Sequence, residues 1–302
     1  MPNLQTTISN LTLQNPTILA SGIMDEDAGS MKRIMKNGAG AIVTKSIGIK
    51  PRAGYPNPTL IELETGILNA MGLPNAGIKH FKEEMNQLQH LQTPIIGSIY
   101  ASNPNDFITL AQQMQEYKAA ALELNLSCPH AKQFGLEVGT DPKLIKTITQ
   151  AVKENVSIPV FVKLSPNVTD IVTLALAAET AEADAIVAIN TIKAMKIDIE
   201  FQQPVLSNKI GGYSGKGIKP IAIRCVYDIA KHINIPIIGV GGIQTGTDVI
   251  EFLMAGASAV QIGVGIYYRE LDIFQKIQQE LTEWMNNHNI QTINELIGVA
   301  HK

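Results

Sequence analysis

Eight short apolar segments alternate with eight amphipathic segments along 302 residues, which predicts an α/β fold, a (β/α)8 TIM barrel, as a single domain over residues 1–302. Three observations carry this reading. The apolar segments are nearly continuous runs, the pattern of parallel strands covered on their outer face by helices. Six of them fall into two self-similar sets that alternate along the chain. No Ser/Gly/Pro linker or charge block divides the sequence into separate units.

In chain order, residues 7–14, with Ile8, Leu11 and Leu13 alternating, read as an N-terminal β-hairpin that closes the barrel floor. The first strand is expected over 17–21 and the fourth over 122–127. The second, sixth and eighth share one pattern, a small-residue turn feeding a β-branched run. They are Gly38-Ala39-Gly40-Ala41-Ile42-Val43-Thr44, Ala183-Asp184-Ala185-Ile186-Val187-Ala188-Ile189 and Gly256-Ala257-Ser258-Ala259-Val260-Gln261-Ile262. The third, fifth and seventh (93–98, 158–163 and 235–240) open on Pro94, Pro159 and Pro236, where a missing N–H costs least. Helical patterns occupy 28–37, 78–88, 104–117, 141–155, 169–182, 218–232, 245–255 and 273–286. The longest non-helical stretches, 46–76, 128–140 and 191–217, follow strands two, four and six at their carboxyl ends, the face on which such barrels carry their active sites. A doubly wound dinucleotide-binding sheet is the structural rival, but Gly239-Val240-Gly241-Gly242-Ile243-Gln244 has Gln where the third glycine belongs.

Composition narrows the function. A net charge of −3 lacks the basic surface that a nucleic-acid partner requires. The N-terminus has neither the basic nor the apolar region of a signal peptide, and no run is long and apolar enough to cross a bilayer. Two cysteines, Cys128 and Cys225, fit a reducing cytoplasm, and Cys225, within a helical pattern, reads as a small buried hydrophobe.

The chemistry gathers at strand ends. Gly239, Gly241 and Gly242 end strand seven, and Gly263-Val264-Gly265 ends strand eight. Either cluster alone reads equally as a tight turn, but together they occupy the two positions where barrels of this kind cradle a phosphate on backbone N–H groups. Lys45 and Lys163 end strands two and five. Each reads as a surface cation, as a charge stabilising an anionic cofactor or substrate, or as a Schiff-base amine. Asn69, Asn75, Asn125 and Asn190 lie at strand ends or loops on the same face, and amides there suit a planar ligand bearing amide and carbonyl groups. Cys128 lies just beyond the fourth apolar run, beside Ser127 and before Pro129, whereas a buried structural cysteine would normally sit inside the run; it reads as a reactive thiol against a packing alternative. As a general base with a reference pKa of about 8.5, it predicts activity rising from neutral toward mildly alkaline pH.

These residues together resemble the class 1 dihydroorotate dehydrogenases. The likeness runs through Ala20-Ser21-Gly22, Thr44-Lys45-Ser46, Leu68-Asn69-Ala70-Met71-Gly72-Leu73-Pro74-Asn75 and Asn125-Leu126-Ser127-Cys128-Pro129. It continues in Val162-Lys163-Leu164, Ile189-Asn190-Thr191, Gly211-Gly212-Tyr213-Ser214-Gly215 and the two glycine-rich strand ends. The resemblance implies FMN-dependent oxidation of dihydroorotate to orotate in pyrimidine biosynthesis. On this resemblance Cys128 would remove the C5 proton while C6 passes hydride to flavin N5, and Lys163 would support the N1/C2 edge of the flavin. It implies that Ser21, Lys45, Ser46, Asn125, Ile189 and Gly215 line the flavin, with Gly241, Gly242, Gly263 and Val264 at its phosphate. Ser98 stands where many relatives carry a flavin-contacting Asn. Lys45, Asn69, Ala70, Met71, Gly72, Leu73, Asn125, Asn190 and Thr191 are implied to hold orotate.

Within class 1, the stretch 128–140 and the run 217–224 are most similar to the class 1B catalytic subunit. That subunit implies a homodimeric core, or a heterotetramer with an FAD and iron–sulfur protein that passes electrons to NAD. This chain has neither a cysteine cluster for iron–sulfur ligation nor a dinucleotide fingerprint of its own. His130 stands where the family usually has an Asn that contacts orotate, and Cys-Pro-His also occurs in the flavin barrel of dihydropyrimidine dehydrogenase. That barrel and a fumarate-linked class 1A enzyme are the nearer alternatives. A Schiff-base aldolase or lyase acting on a phosphorylated substrate, and a non-catalytic binding barrel, are the more distant ones.

Overall fold

The computed structural model of the chain describes residues 1–126 and 138–302. Eight parallel strands close into a barrel in chain order: Thr17–Leu19, Ala41–Val43, Ile95–Ile99, Ala121–Asn125, Val160–Leu164, Ala185–Ala188, Ile237–Val240 and Ala259–Ile262. The eighth pairs with the first in register, Gln261 opposite Ile18, and no edge is left open. Eight helices alternate with the strands where the periodicity predicts them, from Ala28–Lys36 to Ile273–Asn287. Five of their starts are fixed by side-chain caps. Asp27, Asn103, Asp141 and Asp170 cap backbone N–H groups, and Thr245 with Asp248 forms a capping box. A short additional helix, Gly265–Arg269, follows strand eight and has no counterpart in the sequence reading.

The strands alternate strictly between two environments. Leu122 and Leu124, Val160 and Val162, and Val260 and Ile262 pack outward against the helices, while Ala121, Phe161 and Ala259 face the barrel axis. All four even-numbered strands open on alanine: Ala41, Ala121, Ala185 and Ala259. These small side chains leave room at the floor, and the hairpin Thr6–Ile8 and Leu11–Leu13 fills it with Ile8 and Leu13, both fully buried. The predicted floor hairpin is therefore a plug whose apolar burial contributes about 1.5–3 kcal/mol per side chain. Above it Ile18, Ile96, Phe161 and Ile238 fill the axis. Higher still the interior turns polar, with Glu123 and Gln261 fully buried inside the barrel.

Two of the three long stretches carry more structure than expected. Leu60–Leu63 and Gly66–Asn69, from the segment after strand two, form a hairpin whose second strand pairs with Gly211–Ser214, itself paired with Ile192–Ala194, from the segment after strand six. The result is a four-stranded antiparallel sheet beside the carboxyl mouth, which fixes the two segments against each other. Most of the third stretch, 128–140, lies outside the described residues.

Candidate active site at the carboxyl mouth of the barrel

Strand ends one to four bring Ser21, Ser46, Ser98 and Asn125 into one hydrogen-bonded chain. Ser21 Oγ lies 3.3 Å from Ser46 Oγ, Ser46 Oγ lies 2.9 Å from Ser98 Oγ, and Asn125 Nδ2 donates to Ser46 Oγ at 3.0 Å. Ser98 is buried and its N–H donates to Thr44 Oγ1, so the third strand end is locked onto the second. Hydroxyls both donate and accept, and such a chain suits a ligand edge carrying alternating carbonyl and N–H groups.

Each lysine has carboxylate company that the strand patterns did not reveal. Lys45 Nζ sits 2.8 Å from Glu26 Oε1, and the Lys45 N–H donates to the Asp25 carbonyl. Glu26 is 64 % exposed, so solvent screens much of that ion pair. Asp25 is fully buried, with Oδ2 accepting the Gly22 N–H at 2.6 Å and Oδ1 lacking a partner among the described residues. Burial pushes its carboxyl up to about 6, against the opposing pull of the Gly22 N–H and the Lys45 charge. Lys163 donates to Glu123 Oε1 at 3.3 Å and to Gln261 Oε1 at 3.0 Å, inside the barrel.

The glycine-rich end of strand seven adjoins Gly215. Gly242 has φ +74, and a Cβ placed there would lie 2.8 Å from the Gly215 carbonyl oxygen, so the turn admits no larger residue. The N–H groups of Gly241, Gly242, Gly263 and Val264 donate to no protein acceptor among the described residues. Around them the cations are already paired. Lys219 bridges Asp248 and Glu251, and Arg269 binds the Gln244 carbonyl and Glu280. Asp248 in turn accepts the N–H groups of Gln244 and Thr245. The loop is thus clamped from both sides with its own amides left over, a geometry suited to an anion such as a phosphate.

Also at the carboxyl end, the loop after strand two turns three successive carbonyls toward protein donors. Met71 O accepts the Tyr55 N–H, Gly72 O accepts Arg52 Nε–H at 2.6 Å, and Leu73 O accepts Asn75 Nδ2–H. The N–H groups of Met71, Gly72 and Leu73 have no acceptor among the described residues. Asn69 donates to the Gly212 carbonyl at 3.4 Å, tying this loop to the one after strand six. Asn75, read from sequence as a ligand-facing amide, is instead consumed by the loop. Its Nδ2 also donates to the Tyr100 hydroxyl, and its Oδ1 accepts the Gly77 and Gly48 N–H groups.

At strand six the Ile189 N–H donates to the Val240 carbonyl, the Asn190 N–H donates to Leu164, and Asn190 Oδ1 accepts the Thr191 N–H. Asn167 holds this segment by donating to the Thr191 carbonyl and accepting the Lys193 N–H. Cys128 lies outside the described residues, as do Ser127, Pro129 and His130. Cys225 is buried on a helix and its thiol is pushed up by that burial, consistent with a packing role.

A closed parallel barrel, with backbone amides after strands two, seven and eight that lack an acceptor among the described residues and two carboxylate-paired lysines at its carboxyl end, defines the class as a TIM barrel with a polar site at that face. The family profile described as dihydroorotate dehydrogenase matches residues 3–285, and the chain belongs to that family, whose members are in general flavin-dependent. It is 51% identical over 292 residues to the catalytic subunit of dihydroorotate dehydrogenase B (NAD(+)) from Pyrococcus furiosus, covering 97% of each chain. The subunits of the same name from Thermoplasma volcanium, 50% identical over 302 residues and 100% of each chain, and Methanocaldococcus jannaschii, 49% identical over 99% of this chain and 98% of the relative, are comparably similar. Among solved structures, Eimeria tenella DHODH in complex with ferulenol superposes with a TM-score of 0.86 at 25% identity, over 100% of this chain and 89% of that one.

Proposed function

We propose that this chain is a single FMN-binding barrel that oxidises (S)-dihydroorotate to orotate in the cytoplasm. We further propose that its electrons pass through an FAD and iron–sulfur partner to NAD. The observation that carries the reading is the pair of amide cradles at the carboxyl mouth, each with N–H groups that lack an acceptor among the described residues, with Lys45, Asn125 and Lys163 at the ends of strands two, four and five. One cradle, Gly241, Gly242, Gly263 and Val264, suits the FMN phosphate, and the other, Met71, Gly72 and Leu73, suits the orotate carboxylate. The hydroxyl chain of Ser21, Ser46 and Ser98, with Ile189 and Gly215, would line the flavin.

Bound FMN would supply the hydride acceptor that no side chain can provide. The chain's own residues orient the substrate and move its proton. Lys45, Asn69, Ala70, Asn125, Asn190 and Thr191 would hold the flat ring of orotate, whose amide and carbonyl groups match neutral donors and acceptors. Cys128, in the sequence just past the end of strand four, would take the C5 proton as general base. The names of the relatives, each the catalytic subunit of an NAD(+)-linked enzyme, favour the partnered assembly over a fumarate-linked one. A Schiff-base aldolase is disfavoured, because it needs a neutral amine and both lysines are paired with carboxylates.

Purified protein is expected to be yellow and to release FMN, one per chain, on denaturation. A colourless chain that still oxidised dihydroorotate would overturn the reading. Reduction of NAD is expected only after an FAD and iron–sulfur protein is added. NAD reduction by the chain alone would remove the partner from the account.

A further inference from the structure

Just beneath the carboxyl mouth, the barrel axis is filled by polar groups where apolar side chains would pack. Glu123 is fully buried, Gln261 is 1% exposed and Lys163 6% exposed. They close a ring. Lys163 Nζ donates to Glu123 Oε1 at 3.3 Å and to Gln261 Oε1 at 3.0 Å, and Gln261 Nε2 donates to Glu123 Oε2 at 2.6 Å. The three residues come from strands four, five and eight, so the ring spans the barrel from one wall to the other.

The order of donors and acceptors admits one arrangement. Glu123 only accepts and the Lys163 ammonium only donates, so Gln261 must turn its oxygen to Lys163 and its amide nitrogen to Glu123. An apolar trio of similar volume would fill this space at least as stably, since desolvating an ion pair offsets much of its attraction. What the ring achieves is placement. A lysine stem with several rotatable bonds is otherwise a loose support for a charge, and here two of its three N–H bonds are fixed from below. The third has no acceptor among the described residues, and Lys163 lies beside Asn125 in the strand register, at the level of the mouth.

We propose that Glu123 and Gln261 are positioning residues for Lys163, holding its ammonium at the barrel mouth with one N–H left for the flavin edge that gains negative charge on reduction. This rests on the FMN reading above. The ring acts on the flavin only through Lys163, which separates it from a general packing role.

The test is the midpoint potential of bound FMN in the holoprotein, measured by equilibration with reference dyes, across Lys163→Met, Gln261→Met and the double variant. Lys163→Met is expected to lower the potential. Gln261→Met is expected to lower it too, by about a tenfold loss in relative affinity for the reduced flavin, which is about 30 mV for a two-electron couple. In the Lys163→Met background, Gln261→Met is expected to change nothing further. If Gln261→Met does not fold, Gln261→Asn, which keeps the amide but withdraws it by one methylene, carries the same expectation. A wild-type potential in the Gln261 variant, with Lys163→Met lowered, overturns the proposal and leaves the FMN reading standing. An equal Gln261 effect in both backgrounds overturns it as well, since Gln261 then acts independently of Lys163. An unchanged potential in Lys163→Met removes Lys163 from the flavin site and the proposal with it.

Discussion

Replacing Asp25 with asparagine removes a buried charge without changing the shape of the side chain, and the structure sets the size and sign of the effect. Burial lifts the Asp25 carboxyl from 3.8 to about 6 in the folded chain. Between those values the folded state binds more protons than the unfolded one, so stability falls as pH rises through this window and stays lowered above it. The full penalty is on the order of 3 kcal/mol, with most of it developing between about pH 4.5 and about pH 7.5. A neutral amide at this position carries no such penalty. The stability of Asp25→Asn relative to the native sequence should therefore rise by roughly 2 kcal/mol over that interval, all other groups cancelling in the difference. Reversible urea unfolding at both pH values reads it as a shift in midpoint at constant slope. A difference that stays flat with pH, or that moves in favour of the native sequence at higher pH, would refute the argument.

Other expectations follow from single sites. Leu13→Ala, which empties the floor plug beneath the alanine ring, should destabilise the fold by about 2–5 kcal/mol in thermal or urea unfolding, and a loss under about 1 kcal/mol would mean the hairpin does not fill the barrel. Gly242→Ala, with its Cβ against the Gly215 carbonyl, should weaken FMN binding at least about tenfold by fluorescence titration, and unchanged affinity would remove this turn from the phosphate site. Cys128→Ala should keep its FMN yet lose most of the rate at which dihydroorotate reduces it, and rapid anaerobic mixing with an unaltered rate would exclude the thiol as base.

The barrel was legible because its strands obey simple rules. Pro94, Pro159 and Pro236 can only open strands, and runs such as Ala41-Ile42-Val43 have the β-branched, two-sided apolar character of a covered parallel sheet. The accessory sheet was not legible, since Gly66–Asn69 finds one of its two partner strands more than a hundred residues away, in a segment with no strand-like run of its own. Glu123 and Gln261 were hidden for a different reason. Each sits inside an apolar run, and counting the run as a strand discarded its one polar member. A charged residue at an inward position of a buried strand is the signal that could have exposed them. Asp25 and Glu26 escaped notice because they lie in the turn after strand one, where acidic residues are ordinary, and only the fold places them against Lys45. Asn75 erred in the other direction. An amide beside a glycine-rich loop looks like a ligand contact, yet this one satisfies the loop's own backbone.

Anaerobic mixing of the FMN-loaded chain with dihydroorotate tests the central claim most directly. Bleaching of the flavin absorbance with formation of one equivalent of orotate, in the absence of any partner protein, is the expected result. A flavin that stays oxidised in the presence of dihydroorotate, or that is reduced without orotate appearing, would contradict it.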